Sequence, residues 1–142
     1  MRVLVVEDEP LIGFLAEDLL ESAGHAVRLA GSAEAALRLA ESQAFEVAVV
    51  DLGLPDATGA VLVTGLLAIQ PGLRVVLSTG RRPDDPLVAA AMRAGGDRIA
   101  ALIGKPWPEG ALADAVTRAG ADTARRSQRS CGQVTDALRC LA

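Results

Sequence analysis

The chain contains 142 residues with a formal net charge of −4 at pH 7, and 51% of its residues are hydrophobic while only 2% are aromatic. This length fits one domain of ordinary size, and the acidic balance argues against direct binding of nucleic acid. No apolar run approaches the roughly 20 residues needed to span a bilayer. Because Met1 leads directly into a strand-like run, we expect no signal peptide. Because no run is long enough to span a bilayer, we also expect no membrane partner. A cytoplasmic location is therefore the expected one.

Short, continuously apolar segments alternate along the chain with segments of helical spacing. Continuous rather than alternating apolarity is typical of strands that are buried on both faces, as in a parallel sheet. In chain order, the predicted strands are Val3–Val6, Ala26–Ala30, Val47–Val50, Val75–Leu77 and Ile99–Ile103.

A helix is predicted after each strand. Leu11, Leu15 and Leu19 repeat at every fourth position, with acidic residues on the other face, which predicts an amphipathic first helix. The later helices are predicted from their end signals: Ser32 as N-cap of Ala33–Glu41, Pro71-Gly72 closing Thr58–Ile69, Asp85-Pro86 opening Leu87–Ala94, and Gly120 ending Pro108–Ala119.

Five β-α units in succession predict an α/β fold of three layers, with a doubly wound parallel sheet between two layers of helices. The chain is too short for a closed eight-fold barrel, which needs about 250 residues, so the sheet is expected to be open. Ligands of such sheets bind at the carboxyl ends of the strands. The functional residues are therefore expected at that edge.

Four of the five predicted strands end in a charged or hydroxyl residue. The first runs into Glu7-Asp8-Glu9, the third into Asp51, the fourth into Ser78-Thr79 and the fifth into Lys105. Two carboxylates at 4 Å repel by roughly 4 kcal/mol at an effective dielectric near 20, so either one keeps its proton or a cation lies among them. Carboxylate ligands without a nearby His or Cys favour Mg²⁺.

A carboxylate nucleophile, Mg²⁺, a lysine and a hydroxyl together form a minimal apparatus for phosphoryl transfer, with Asp51 as the acceptor. Lys105 would neutralise the phosphoryl oxygens and Thr79 would donate a hydrogen bond. Ser78 is expected to be structural. The alternative that Glu7, Asp8 and Glu9 are solvated acids at the start of the first helix stays open at this point.

These strand ends resemble the motifs of a known family. The segments are Val5-Val6-Glu7-Asp8-Glu9, Val49-Val50-Asp51-Leu52-Gly53-Leu54-Pro55-Asp56 with Gly59, Leu77-Ser78-Thr79-Gly80 and Gly104-Lys105-Pro106-Trp107. In this order and spacing they are similar to the receiver domains of two-component response regulators, over about residues 1–120. The resemblance implies a flavodoxin-like sheet with strand order 2-1-3-4-5.

The resemblance also implies the role of each site residue. Asp51 matches the phosphoacceptor, Asp8 a direct metal ligand, Glu7 an acid that acts through a metal-bound water, and the backbone carbonyl of Gly53 a third protein ligand. By the same resemblance, Mg²⁺ is the expected cofactor. Asp51 would thus both bind the metal and carry the phosphoryl group.

The remaining motif residues match the family's switch elements. Thr79 matches the hydroxyl that follows the phosphoryl group, Lys105 the lysine that pairs with it, and Pro106 a proline after a cis peptide bond. The chain departs from the family at Leu102, where a Tyr or Phe usually stands, and in the segment 95–98, which lengthens the link into the fifth strand. The readout of phosphorylation is therefore expected to differ from the family's usual one.

Residues 121–142 are predicted to be a C-terminal tail or short helix with no output domain. Residues 120–142 carry 2 acidic and 4 basic side chains, against 16 and 10 in residues 1–119. Val134, Leu138 and Leu141 share one helical face, but so short a helix is marginal unless it packs on something. Docking on the receiver and docking on a second copy both stay open, and a homodimer is one of the expected assemblies.

We therefore expect a stand-alone response regulator that a histidine kinase or a histidine phosphotransfer protein phosphorylates on Asp51, and that acts on an unknown downstream protein. It would be no enzyme beyond a slow self-dephosphorylation. The alternatives are a phosphate sink and a phosphorylation-independent interaction module of the same fold. A Mg²⁺-dependent phosphatase is disfavoured, because such enzymes usually need an acid two residues after the nucleophile, where this chain has Gly53.

Overall fold

A five-stranded parallel sheet forms the centre of the molecule, in a computed structural model that describes residues 1–121. The strands are β1 (Arg2–Val6), β2 (Ala26–Ala30), β3 (Val47–Asp51), β4 (Arg74–Thr79) and β5 (Ile99–Gly104). Their order in the sheet is β2-β1-β3-β4-β5, which confirms the predicted topology. The central strands β1, β3 and β4 are almost wholly buried, because helices cover both faces of the sheet.

The helices alternate with the strands as expected: α1 (Pro10–Ser22), α2 (Ala33–Ser42), α3 (Gly59–Ile69), α4 (Pro86–Gly95) and α5 (residues 111–121). Three N-caps act through their side chains. Ser32 accepts a hydrogen bond from the N–H of Ala35, Thr58 from that of Val61, and Asp85 from that of Leu87.

The predicted bounds of the last helix are wrong at both ends. Instead of spanning Pro108–Ala119, α5 begins at Ala111 and continues through Gly120 to the last described residue. Gly120 lies against Met1, so close that a Cβ at this position would meet the Met1 side chain at 1.8 Å. Gly120 therefore packs against Met1 within the helix and does not end it. Of the predicted tail only residue 121 is described, and the division into 1–120 and 121–142 stays a prediction.

The sheet divides the core into two parts. On one face, α2, α3 and α4 cover alternate strand residues such as Leu4, Val50 and Leu77. On the other face, α1 and α5 cover Val5, Val49 and their neighbours. This arrangement leaves the carboxyl ends of all five strands at one open edge of the sheet.

The lengthened link before β5 folds into a short 3-10 helix, Gly96–Arg98. The guanidinium of the buried Arg74 donates a hydrogen bond of 2.6 Å to the backbone carbonyl of Asp97. The register of β4 and β5 shifts by one residue just after this helix, so that Val75 pairs with Ile99 and Val76 with Ala101. The extra length is thus absorbed before the strand ends, and Thr79 still lies opposite Gly104, next to Lys105.

The first helix is present as predicted, but the residues that it buries are not those of the predicted leucine face. The residues that α1 buries are Gly13, Ala16 and Leu20, whereas Leu11 and Leu15 are 77% and 51% exposed. Among residues 1–121, no helix is long and apolar enough to cross a membrane.

Candidate functional site

The parallel sheet brings the predicted site residues together at one edge. Glu7 and Asp8 follow β1, Asp51 ends β3, Thr79 ends β4 and Lys105 follows β5. Because β1, β3, β4 and β5 are successive neighbours in the sheet, residues that lie up to 98 positions apart in sequence come within hydrogen-bonding distance, as Glu7 and Lys105 do.

Three carboxylates form the acidic edge, which we define as Glu7, Asp8 and Asp51. One oxygen of each lies within 4.8 Å of the others. Glu7 and Asp51 are only 5% and 8% exposed, whereas Asp8 is exposed. Hard oxygen ligands at this spacing, with one side open to water, fit Mg²⁺, which keeps several of its waters. The residues present thus suit the ion that the sequence predicts.

The Lys105 ammonium is shared between two carboxylates. It donates a hydrogen bond to Glu7 Oε2 and lies 3.4 Å from Asp51 Oδ1. Burial raises the pKa of Glu7 above its ordinary value, and the nearby charge of Asp51 adds to this, while the hydrogen bond from Lys105 opposes it. A single lysine therefore balances only part of the negative charge at the acidic edge.

The open alternative, that Glu7, Asp8 and Glu9 are solvated acids that cap the first helix, fails for Glu7, which is buried, while Asp8 and Glu9 are exposed. Glu9 occupies the N-cap position of α1, but its side chain accepts no hydrogen bond from the helix. The backbone N–H of Glu9 instead donates a hydrogen bond of 3.3 Å to Glu7 Oε1. Glu7 is thereby held in the site by a backbone donor on one oxygen and by Lys105 on the other.

The loop after β3 fixes the orientation of Asp51. The backbone N–H of Gly53 donates a hydrogen bond of 3.0 Å to Asp51 Oδ1. Further along the loop, the Asp56 carboxylate accepts hydrogen bonds from the backbone N–H groups of Ala33 and Glu34, at 2.9 and 3.1 Å. These N–H groups belong to the first turn of α2 and lower the pKa of Asp56. Sequence reasoning missed this bridge between the Asp51 loop and α2.

Thr79 and Ser78 differ in their partners. The hydroxyl of the buried Thr79 accepts a hydrogen bond of 2.9 Å from the backbone N–H of Arg81. The backbone carbonyl of Thr79 accepts another from the backbone N–H of Lys105. The Ser78 hydroxyl, also buried, accepts a hydrogen bond of 2.8 Å from the indole N–H of Trp107. Ser78 thus has a structural partner, as expected, while the sequence carries no signal that Trp107 is that partner.

Two features around Lys105 were anticipated. The peptide bond between Lys105 and Pro106 is cis. Leu102, at the position where the family has an aromatic ring, is half-buried and packs against the larger part of the core. No aromatic side chain is therefore available at that position to move between an inner and an outer orientation.

The fold and this arrangement of residues define a receiver domain. The chain belongs to the family described as "Response regulator receiver domain", which matches residues 3–117. It is similar to the probable transcriptional regulatory protein TcrX of Mycobacterium tuberculosis, at 35% identity over 68% of this chain. The match spans only 41% of TcrX, so the activity of that whole protein does not transfer by similarity.

Solved receiver structures agree with the fold in detail. A CheY-like receiver domain protein from Methanospirillum hungatei superimposes with a TM-score of 0.81, at 26% identity, over 88% of this chain and 97% of its own. A response regulator from Burkholderia pseudomallei, determined with a phosphorylated aspartic acid, a calcium ion and citrate, superimposes with a TM-score of 0.70. That match has 26% identity and covers 93% of this chain and 74% of the other.

Proposed function

We propose that this receiver accepts a phosphoryl group on Asp51 in a Mg²⁺-dependent reaction, from a histidine kinase or a histidine phosphotransfer protein. The observation that carries the proposal is the acidic edge with Lys105 beside it: one buried, oriented aspartate, two further acids within 4.8 Å and a lysine at 3.4 Å. The phosphorylated aspartate of the Burkholderia pseudomallei relative supports the same chemistry. A cytoplasmic location is part of this proposal.

The geometry suggests which oxygen of Asp51 reacts. Asp51 Oδ1 already accepts a hydrogen bond from the backbone N–H of Gly53 and lies 3.4 Å from the Lys105 ammonium. Asp51 Oδ2 accepts no hydrogen bond from residues 1–121. Attack by Oδ2 forms the new P–O bond while the bond to the donor atom breaks, and the donor leaves with the electron pair. Asp51 becomes an acyl phosphate, and hydrolysis returns it to the carboxylate. A slow self-dephosphorylation of this kind is the only turnover that we propose.

The other residues have supporting roles in this proposal. Glu7, Asp8, Asp51 and the Gly53 carbonyl would hold Mg²⁺, which when bound supplies positive charge to the phosphoryl oxygens. Lys105 would exchange its contact with Glu7 for one with the phosphoryl group. The Thr79 hydroxyl would turn from the Arg81 N–H toward the same group and donate to it. These movements would shift the receiver between two states.

The direct test uses a small phosphodonor, Mg²⁺ and the mass of the intact protein. Wild type is expected to gain one phosphoryl group, and Asp51→Asn or chelation of Mg²⁺ should abolish the gain. Glu46→Gln is the control, because Glu46 is an exposed acid that precedes β3 at the other edge of the sheet, and it should be labelled like wild type. Labelling of Asp51→Asn, or none of wild type, would contradict the proposal.

One observation favours a second candidate function, a phosphorylation-independent interaction module. Leu102 replaces the ring that usually couples phosphorylation to the signalling surface, and it packs into the core. If wild type is not labelled under conditions that label another receiver, this candidate replaces the first. If it is labelled but binds every partner equally in both states, the protein acts as a phosphate sink.

A further inference from the structure

The indole of Trp107 joins the two strand ends that carry Thr79 and Lys105. Its N–H donates a hydrogen bond of 2.8 Å to the hydroxyl of Ser78. Ser78 immediately precedes Thr79 in β4, and Trp107 stands two positions after Lys105. This side-chain bond therefore lies next in sequence to both residues that would contact the phosphoryl group.

Two hydrogen bonds flank the backbone of Lys105. Before the side chain, the backbone N–H of Lys105 donates a hydrogen bond of 2.8 Å to the carbonyl of Thr79, which closes the pairing of β4 and β5. After it, the chain leaves the sheet. Within the described residues 1–121, the bond from Trp107 to Ser78 is the only hydrogen bond that residues 106–110 make to a strand. That bond therefore sets where the segment after Lys105 lies.

Both ends of this bond are held in place by packing. The half-buried ring of Trp107 packs against the part of the core that α1 and α5 cover. Ser78 is a strand residue and only 1% exposed, so its hydroxyl cannot exchange the indole for bulk water while β4 stays paired. The bond thus connects two rigid parts of the molecule across the backbone of Lys105.

The placement of Lys105 matters because its ammonium faces one particular atom. It lies 3.4 Å from Asp51 Oδ1, and its side chain is 16% exposed. The charge is carried on a flexible four-carbon stem, so its reach depends on where the backbone is held. A misplacement of about 1 Å in a reactive site can cost on the order of a hundred-fold in rate. Control of this backbone is therefore control of the reaction.

We propose that Trp107 is a positioning residue, whose hydrogen bond to Ser78 holds the Lys105 ammonium against the acidic edge. The indole acts through Lys105 and takes no part in the chemistry itself. The inference rests on the proposed function for the step that Lys105 serves. It also makes a separate prediction for Mg²⁺ binding, which needs no phosphoryl transfer.

The same placement of Lys105 acts against a cation. The ammonium donates to Glu7 and lies beside Asp51, and both carboxylates belong to the acidic edge. Because like charges repel and the ammonium competes for ligand oxygens, a Lys105 held here weakens the binding of Mg²⁺. Loss of the bond from Trp107 should therefore slow phosphorylation and tighten Mg²⁺ binding. A general loss of structure would instead weaken both.

The test compares full-length wild type with two variants that each remove one end of the bond. Ser78→Ala removes the acceptor, and Trp107→Phe keeps an aromatic ring but removes the donor. Calorimetry with Mg²⁺ alone should show about three-fold tighter binding in both variants. Labelling by a small phosphodonor at saturating Mg²⁺ should be about ten-fold slower in both.

Three further variants sharpen this comparison. Ser78→Thr retains the hydroxyl and should restore both quantities to near their wild-type values. Ser42→Ala, which removes an exposed hydroxyl at the end of α2, is the matched control and should behave like wild type. The double variant Ser78→Ala/Trp107→Phe should resemble either single variant, because both substitutions break the same bond. Effects that add in the double variant would overturn the proposal.

The two measurements keep this proposal apart from the proposed function. If wild type is not labelled, the proposed function fails, and the Mg²⁺ affinities still decide the role of Trp107. Equal Mg²⁺ affinity in wild type, Ser78→Ala and Trp107→Phe would overturn the positioning role whatever the labelling shows. If wild type is labelled and both variants react at the same rate, the proposed function stands and the positioning role is overturned.

Discussion

The acidic edge and the α1–α5 groove meet at Lys105 and Pro106 but are built in opposite ways. The groove lies between α1 and α5 and is lined by Ile12, Leu15, Leu19, Trp107 and Leu112. At the acidic edge, buried charges are concentrated at strand ends and each is fixed by a backbone or lysine donor. In the groove, large apolar side chains face outward from a helix that buries its smallest residues. The first surface has more negative charge than Lys105 balances, and the second has more apolar area than residues 1–121 cover.

The difference shows that neither surface is arranged for the stability of the described domain alone. A cation would complete the acidic edge, and an apolar partner surface would complete the groove. Both requirements can be tested by substitutions that change one surface and leave the other intact. The expected effects range from a few kcal/mol in the core beneath the groove to a small, pH-dependent effect beside Asp51.

The largest effect is expected from the two faces of α1. Leu20→Ala removes a fully buried side chain and should lower the free energy of unfolding by about 3 kcal/mol. Leu11→Ala, at a position that is 77% exposed, should change it by less than about 0.5 kcal/mol. Urea unfolding followed by Trp107 fluorescence measures both. A cost for Leu11→Ala comparable to that of Leu20→Ala would mean that the outer face of α1 is covered in solution.

A smaller effect of opposite sign is expected at the acidic edge. Asp8→Asn removes one of three mutually repelling carboxylates and, because Asp8 is exposed, should stabilise the metal-free protein by about 1 kcal/mol. Mg²⁺ should stabilise wild type increasingly with its concentration and stabilise the variant far less. Urea unfolding in chelator and in Mg²⁺ measures both effects.

Glu46→Gln is the control for this experiment, because Glu46 is an exposed acid that precedes β3 at the other edge of the sheet. It should leave the response to Mg²⁺ unchanged. If Asp8→Asn is less stable than wild type in chelator, the three carboxylates do not repel each other measurably. Lys105 would then already balance their charge.

The sequence predicts the sheet and the site edge well for a physical reason. Strands buried on both faces must be continuously apolar, as Val47–Val50 is, and parallel strands bring their carboxyl ends to one edge. The sequence pattern alone therefore predicts that Asp51, Thr79 and Lys105 lie together. The cis bond before Pro106 followed from the family resemblance.

The features that sequence reasoning missed depend on packing or on distant partners. Periodicity identifies the leucine face of α1, but it does not reveal that Gly13 and Ala16 allow a closer approach to the sheet than the leucines do. Side-chain bonds such as that of Trp107 to Ser78 join residues 29 positions apart and leave no periodic signal. The contact of Asp56 with Ala33, across 23 positions, is of the same kind.

The smallest expected effect concerns this last contact, which holds the loop that follows Asp51. Backbone N–H groups of Ala33 and Glu34 lower the pKa of Asp56 below its ordinary value of 3.8. The carboxylate therefore stabilises the folded state above that value, and the stabilisation is lost as the pH falls through the lowered pKa. Asp56→Ala should be less stable than wild type at neutral pH, and the difference should vanish in acid.

Urea unfolding from neutral to acidic pH measures that difference, with Asp84→Ala as the control, because Asp84 is an exposed acid that forms an ion pair with the exposed Arg82. Asp84→Ala should show no comparable change with pH. A pH-independent loss in Asp56→Ala would mean that the charge of Asp56 is unimportant to the loop. A difference that follows the titration would instead show that the loop carrying Asp51 is anchored to α2 by an ionised carboxylate, independently of the acidic edge and the groove.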